Sequence, residues 1–198
     1  MLFLVILLPL AVVLQESLAQ PKAALADIPA KIQMDIIDKH NAIRRRVRPP
    51  ASNMLKMTWD PKASETAKQW ASQCEEDISP PEERVVDGIY CGENVYQSTV
   101  PTSWGQIIEH WASKSSNFRY GTGPINNNTN ESDLYTQLIW YNSHRVGCGA
   151  AICQKESIPF RYICHYCPAG NIKYLWRTPY KAGQPCGACP DSCEDKLC

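Results

Sequence analysis

Eight of the ten cysteines in this 198-residue chain lie between Cys148 and Cys198. Cysteines crowded in this way are typical of secreted proteins that disulfides stabilise. An even number in an oxidising compartment most simply makes five disulfides, which leaves no free thiol for nucleophilic catalysis. For the same reason, the Cys-x-x-Cys pairs Cys164/Cys167 and Cys186/Cys189 are interpreted as structural rather than as zinc or redox sites.

The N-terminus is typical of a secretory signal peptide. Its apolar run over residues 1–14 is too short to span a bilayer comfortably, and Ser17-Leu18-Ala19 supplies a small-x-small cleavage site. We predict cleavage before Gln20. No second long apolar run follows, so we expect a secreted protein without a membrane span. In that compartment the sequons at Asn127 and Asn130 are candidate N-glycosylation sites.

The charge of the chain indicates no general class of partner. Without the signal peptide it has 20 basic and 19 acidic residues, a net charge of +1, and no nucleic acid is expected as a partner. A basic cluster contains Arg44, Arg45, Arg46 and Arg48. We interpret it as a favourable contact with the C-terminal end of the first predicted helix. A patch for sulfated glycan or anionic lipid is the alternative.

Three stretches predict amphipathic helices. Asp27 is a candidate N-cap for a first helix that Pro49-Pro50 ends, and Asp60-Pro61 opens a second. Ser103 and Gln106 form a capping box that opens the third. The predicted buried faces are Ile32, Ile36, His40, Ile43 and Val47 in the first helix; Ala63, Ala67, Trp70, Ala71 and Cys74 in the second; Trp104, Ile107, Ile108 and Trp111 in the third.

The pattern changes after a polar loop that we predict over residues 115–133. Val146–Cys153 and Phe160–Cys167 are β-prone runs separated by a proline-containing turn, which predicts two antiparallel strands. Helices followed by strands indicate an α+β fold in which helices cover an antiparallel sheet. From Thr178 onward the chain is rich in Pro, Gly and Cys, so we expect this end to lack a core and to depend on disulfides.

Several blocks of residues carry a family resemblance. They are His40–Val47, Pro50–Trp59, Cys91-Gly-Glu-Asn94, Tyr135–Trp140, Cys164–Asn171 and the terminal cysteine run Cys186–Cys198. In this order they resemble the CAP superfamily, and specifically its cysteine-rich secretory proteins (CRISPs).

The resemblance implies a fold and a domain division. After the signal peptide at 1–19, we expect an α/β/α sandwich with an antiparallel sheet over 20–172 and a disulfide-rich hinge over 173–198. A typical CRISP continues into a third domain associated with ion-channel regulation. Because this sequence ends at Cys198, we expect a CRISP without that domain. The implied pairing, which spacing alone leaves open, is Cys74–Cys153, Cys91–Cys167, Cys148–Cys164, Cys186–Cys193 and Cys189–Cys198.

CAP domains often carry two His and two Glu around a central cleft, a set that can hold a cation such as zinc. At the matching positions this chain has Ile78, Glu93, Lys114 and Leu134. Three of the four ligand types are therefore replaced, one of them by a cation. We expect no metal and no other cofactor, with Lys114 paired to Glu93. Glu93 is interpreted as a structural residue of a disulfide-linked strand, and His40 as a buried, hydrogen-bonded one.

These observations favour a non-enzymatic protein, since metal-assisted hydrolysis lacks its ligands. With its expected truncation, the chain resembles a CRISP of amphibian egg jelly that attracts sperm. That resemblance implies a diffusible signal in egg jelly or a reproductive-tract secretion, acting on a receptor of sperm or of another cell surface. An extracellular glycan is a further expected contact. The alternatives are a channel-modulating or defence-type CRISP, and lipid or sterol binding by the sandwich.

Overall fold

The computed structural model describes residues 23–25, 27–125, 129–154 and 156–198. The predicted signal peptide, Gln20 and Asn127 lie outside this part, and Asn130 is described by its backbone alone. The helices are α1 (Ala30–Arg44), α2 (Pro61–Gln73), α3 (Trp104–Ser113) and α4 (Thr129–Leu138). The strands are β1 (Ala23–Leu25), β2 (Thr58–Trp59), β3 (Val85–Val86), β4 (Ile89–Tyr90), β5 (Gly92–Ser98), β6 (Phe118–Arg119), β7 (Gly123–Pro124), β8 (Arg145–Cys153) and β9 (Phe160–Cys167).

A five-stranded sheet forms the middle layer, in the order β1-β8-β9-β5. Its pairs are antiparallel except for β2, which pairs in parallel with β8. Alternate residues of β9 face opposite layers. Tyr162, Cys164 and Tyr166 join the main core with α1, α3 and α4, whereas Ile163 packs against α2. The molecule is therefore a three-layer α/β/α sandwich, which confirms the fold that the family resemblance implies.

Close packing of α2 on the sheet depends on two glycines of β8. A Cβ atom at Gly147 would lie 2.0 Å from the Ser64 backbone nitrogen, and one at Gly149 would lie 2.4 Å from that of Lys68. Alanines on the helix, Ala63, Ala67 and Ala71, complete the contact and are fully buried. Small residues on both sides thus let the helix backbone approach the strand backbone directly.

Local capping signals confirm two of the three predicted helix starts. The Asp60 carboxylate accepts hydrogen bonds from the Lys62 and Ala63 nitrogens, and Ser103 forms its capping box with Gln106. The prediction for Asp27 is wrong, because Pro29 occupies the N-cap position without a side-chain bond. Asp27 instead forms an ion pair with Lys68 of α2 at 2.5 Å.

The predicted polar loop over residues 115–133 is also wrong. This region contains a short 3₁₀ turn at Lys114–Asn117, the β6–β7 hairpin and the start of α4. The sequence of α4 shows no clear apolar pattern, because its buried positions include the polar residues Ser132, Thr136 and Gln137. The Thr136 hydroxyl donates to the Asn171 side-chain oxygen at 2.7 Å, and Gln137 donates to the Ser143 hydroxyl and accepts from the Gly170 nitrogen. Both buried side chains therefore have partners inside the protein.

The C-terminal segment, residues 173–198, does not lack a core as expected. Leu197 is fully buried and belongs to the main core together with Tyr180. Backbone hydrogen bonds fasten the segment to residues 50–56, including those from the Cys198 nitrogen to the Met54 carbonyl and from the Ser52 nitrogen to the Lys181 carbonyl. Its disulfides therefore support a segment that packing already holds against the sandwich.

The basic cluster separates on folding, which corrects its interpretation as a group at the helix end. Arg44 is 1 % exposed and donates hydrogen bonds to the carbonyls of Leu55, Leu138, Trp140 and Tyr141. Burial lowers its pKa to about 9, so the guanidinium stays charged at neutral pH. Arg45 forms an ion pair with Asp195 at 2.7 Å.

Replacing Arg44 should destabilise the protein strongly. Arg44→Ala leaves four backbone carbonyls without their donor and opens a cavity, which should cost about 3–5 kcal/mol in the free energy of unfolding. Urea unfolding at pH 7 measures this cost. The neighbouring Arg46→Ala is the matched control, because Arg46 is exposed, and it should stay within about 0.5 kcal/mol of the wild type. Equal effects of the two changes would contradict the buried network.

Truncating Leu197 tests whether the C-terminal segment belongs to the core. Leu197→Ala should lower the free energy of unfolding by about 2–4 kcal/mol while all disulfides stay oxidised. The exposed Asp191→Ala in the same segment provides the control, with a change near zero. A negligible effect of Leu197→Ala would mean that disulfides alone hold the segment.

Candidate functional site

A cleft of about 590 Å³ opens between the loop after α2, the start of β5, α4 and residues 169–171. Three of the four positions that match the family's metal ligands line it, namely Ile78, Glu93 and Leu134. Lys114 does not. The remaining lining residues are Glu76, Asp77, Arg84, Cys91, Gly92, Asn94, Val95, Asp133, Gln137, Ala169, Gly170 and Asn171.

The Glu93 carboxylate is bound within the protein. One oxygen accepts the Ser79 backbone N–H at 2.8 Å. The other accepts the Ser79 hydroxyl at 2.7 Å and lies 2.8 Å from His165 Nε2. Since an ionised carboxylate only accepts, Nε2 donates in this contact. The side chains of both Glu93 and His165 are almost fully buried.

The environment of Glu93 favours its charged form. Burial acts to raise the pKa of the carboxyl group, but hydrogen bonds and charge from His165, with two further hydrogen bonds from Ser79, outweigh it. The pKa of Glu93 therefore lies below its ordinary value of 4.5. A group that is ionised and fully hydrogen-bonded at neutral pH is not a proton donor for chemistry.

His165 completes the arrangement from the α2 side. Its Nδ1 atom lies 2.8 Å from the Thr66 hydroxyl, so both ring nitrogens have partners. No role was predicted for this histidine, because its partners lie far away along the chain. Glu93 and His165 lie opposite each other on the neighbouring strands β5 and β9. Knowledge of this strand register would have predicted their contact.

Lys114 does not pair with Glu93 as predicted. Its ammonium lies 3.4 Å from the Glu131 carboxylate of α4. The prediction was wrong because it assumed that Glu93 was left free by the loss of its metal partners, whereas His165 and Ser79 already bind it. Ile78 is not buried in the interior of the cleft, since this residue is 66 % exposed.

The donor set does not fit a zinc ion. Neither Ile78 nor Leu134 carries a lone pair, and Glu93 has its lone pairs committed to internal donors. Within residues 27–125, 129–154 and 156–198, no group of three or more His, Cys, Asp or Glu side chains is placed to hold a metal.

His40 lies outside the cleft, in the main core. Its Nδ1 atom is 2.7 Å from the Ile36 carbonyl and its Nε2 atom 3.0 Å from the Tyr166 hydroxyl. Burial lowers the pKa of His40 to about 4, so the ring is neutral at physiological pH. These contacts agree with its interpretation as a structural residue.

Five disulfides cross-link the sandwich and the C-terminal segment. They join Cys74–Cys153, Cys91–Cys167, Cys148–Cys164, Cys186–Cys193 and Cys189–Cys198, the pairs that the family resemblance implies. The longest loop, with a sequence separation of 79, is closed by Cys74–Cys153, which is worth about 4–5 kcal/mol in a chain-entropy estimate. Cys91–Cys167 secures both strands that carry Glu93 and His165.

The chain belongs to the CAP, or cysteine-rich secretory protein, family, whose model matches residues 37–166. Similar solved structures include NaASP2 with Zn²⁺, at 23 % identity and a TM-score of 0.68, covering 86 % of this chain and 96 % of that one. Schistosoma mansoni venom allergen-like protein 4 matches at 22 % identity and a TM-score of 0.64, covering 81 % of this chain and 100 % of that one. BmVAL-1 matches at 27 % identity and a TM-score of 0.61, covering 81 % of this chain and 87 % of that one.

Family and disulfides together define the coarse character of the protein. CAP proteins with several disulfides are typically extracellular and are generally not enzymes. Within the part of the chain that the structure describes, we find no helix with the length and hydropathy needed to cross a bilayer.

The vacant ligand positions predict that the wild-type protein binds no zinc in the cleft. Isothermal titration calorimetry at pH 7 should detect no 1:1 binding that depends on Glu93. The triple change Ile78→His, Lys114→Glu, Leu134→His restores the ligand types and serves as a comparison. Tight wild-type binding that Glu93→Ala abolishes would contradict the assignment.

Glu93 should contribute stability that depends on pH. Because its folded pKa is lowered, its contribution is complete above the unfolded pKa of about 4.5 and is lost as the pH falls through the folded value. Glu93→Gln should therefore cost about 2–3 kcal/mol at pH 7, and the cost should shrink below pH 4. Urea unfolding at several pH values measures it.

The exposed Glu83→Gln serves as control for the pH series. It should change the free energy of unfolding little at any pH. A cost of Glu93→Gln that did not vary with pH would mean that the carboxylate contributes by shape rather than by charge.

Proposed function

We propose that this protein is a secreted, non-enzymatic ligand that acts on sperm through its outer surface, as a chemoattractant. The observation that carries the proposal is the state of the cleft. Glu93 is committed to His165 and Ser79, and the other three family positions hold Ile78, Lys114 and Leu134. Glu93 is thus unavailable as a metal ligand or as a free acid or base, which favours recognition by a receptor over metal-assisted catalysis.

The physical character of the protein supports a diffusible role. Five disulfides stabilise it outside the cell, and its 20 basic and 20 acidic residues balance. A nearly neutral chain is only weakly retained by the average charge of a gel such as egg jelly. The target cell, sperm, enters the proposal through the resemblance of the sequence blocks to CRISPs of reproductive secretions.

A two-chamber migration assay tests the proposal. Purified, fully oxidised protein is placed across a porous membrane from sperm, and cells that cross are counted. We expect accumulation toward the protein, and loss of that accumulation when the concentration is equal on both sides. Glu93→Gln at a temperature where it stays folded should attract sperm as well as the wild type does, because the cleft is not the recognition surface.

Two results would contradict the proposal. Absence of directional movement with correctly paired disulfides would remove sperm attraction, and channel-current recordings and lipid binding would then separate the alternative roles. A hydrolytic activity of the wild-type protein that Glu93→Gln abolishes would overturn the non-enzymatic assignment.

A further inference from the structure

Seven Lys and Arg side chains of the described residues have a carboxylate partner. Ion pairs occupy Lys39, Arg45, Lys56, Lys62, Lys68, Lys114 and Arg145. Eight exposed cations of the described residues form no such pair: Lys31, Arg46, Arg48, Arg119, Lys173, Arg177, Lys181 and Lys196. Four of them, Arg48, Arg119, Arg177 and Lys181, lie on segments that contact one another. None of these four forms an ion pair with any carboxylate of the described residues.

Folding brings the segments that carry these four residues together. The Gly121 nitrogen, two residues after Arg119, donates to the Arg177 carbonyl at 2.8 Å. The Tyr120 hydroxyl donates to the Tyr180 carbonyl at 2.9 Å, next to Lys181. The Tyr180 hydroxyl in turn donates to the Pro49 carbonyl at 2.9 Å, next to Arg48. We call the surface formed by Arg48, Arg119, Arg177 and Lys181 the basic face.

The platform beneath the basic face is well packed. The rings of Tyr120 and Tyr180 lie 4.9 Å apart, and Tyr180 is 3 % exposed. The Lys181 carbonyl accepts the Ser52 nitrogen at 2.8 Å, and the Gly183 nitrogen donates to the Pro50 carbonyl at 2.9 Å. The backbones that carry the four cations are therefore held in place before any partner arrives, which reduces the entropy lost on binding.

The segments that carry the four cations of the basic face contain no acidic residues. Residues 48–52, 119–122 and 177–183 contain no Asp or Glu. Asp133, which accepts a hydrogen bond from Trp176 just before this region, is part-buried and lines the cleft. Bringing four cations together without acids among them has an electrostatic cost that an anionic partner removes.

We propose that the basic face binds sulfated glycans of the extracellular matrix. Three of its four cations are arginines, whose planar guanidinium groups match the oxygens of a sulfate in pairs of hydrogen bonds. A sulfated polysaccharide offers anions at short intervals along a flexible chain, as a row of separate cations requires. This activity goes beyond sperm attraction: although the balanced overall charge allows diffusion, closely spaced sulfates would bind this one face and concentrate the protein where they occur, whatever its target cell.

An anionic membrane is the less suitable partner. Lasting attachment to a bilayer needs apolar groups that insert, in addition to basic residues. The large exposed apolar side chains of the described residues, such as Met34, Ile78 and Tyr174, all lie outside residues 48–52, 119–122 and 177–183. The basic face therefore supplies charge without an anchor.

Binding to immobilised heparin tests the proposal, with surface plasmon resonance as the readout. The triple change Arg119→Ser, Arg177→Ser, Lys181→Ser should weaken binding about tenfold or more, because it removes most of the cations that displace counterions. The matched control Lys39→Ser, Lys62→Ser, Lys68→Ser lowers the net charge by the same amount, and it should weaken binding less than about twofold. Circular dichroism verifies that both variants are folded.

Further arms distinguish the source of the anion. Desulfated heparin should bind weakly, and the affinity for heparin should fall steeply as salt increases. Vesicles that contain phosphatidylserine should bind no better than neutral vesicles. Equal losses in the two triple variants, equal binding of desulfated heparin, or binding to anionic vesicles without binding to heparin would each overturn the proposal.

Discussion

The position of α4 and of the chain that follows it depends on one buried guanidinium. Arg44 projects from the end of α1 and donates to Leu138 and Trp140 with one nitrogen, at 2.8 and 2.9 Å, and to Leu55 and Tyr141 with the others. No carboxylate among the described residues pairs with it. Backbone carbonyls alone satisfy the charge, which requires that all of these segments stay in place together.

The consequences extend to both surfaces that concern function. α4 supplies Asp133 and Leu134 to the cleft, and the Tyr141 nitrogen donates a hydrogen bond to the Pro179 carbonyl of the C-terminal segment. The chain around Leu55 contacts the same segment through Met54, Lys56 and Cys198. The cleft and the basic face are therefore positioned by one continuous framework, although they present opposite chemistry.

Local chemistry was well predicted from the sequence. Caps at Asp60 and Ser103 need only neighbouring residues, and the two long strands follow from their β-prone runs, so these features were correct. The family resemblance supplied the layer order. α4 was missed because three of its buried positions are polar, Ser132, Thr136 and Gln137, which weakens the apolar periodicity that predicts a helix.

The partners of charged residues could not be predicted, because each was decided by a contact distant in sequence. Lys114 was predicted to pair with Glu93 on the assumption that Glu93 had no other partner. Glu93 instead lies opposite His165 on the neighbouring strand, and Lys114 pairs with Glu131. The basic cluster appeared to be one group in sequence, yet Arg44 is buried and Arg45 paired. The basic face itself joins residues from three separate segments, so its signal exists only in the folded chain.

In our proposal, Glu93 serves as an internal acceptor for His165 and the protein acts through its surface. A long-range ¹H–¹⁵N spectrum of the histidine side chains, recorded at pH 7 with and without Zn²⁺, tests it most directly. We expect a protonated Nε2 at His165, a proton there that exchanges slowly with solvent, and no response of these signals to zinc. A His165 ring with an exposed, rapidly exchanging Nε2, or signals that zinc shifts at a 1:1 ratio, would contradict it.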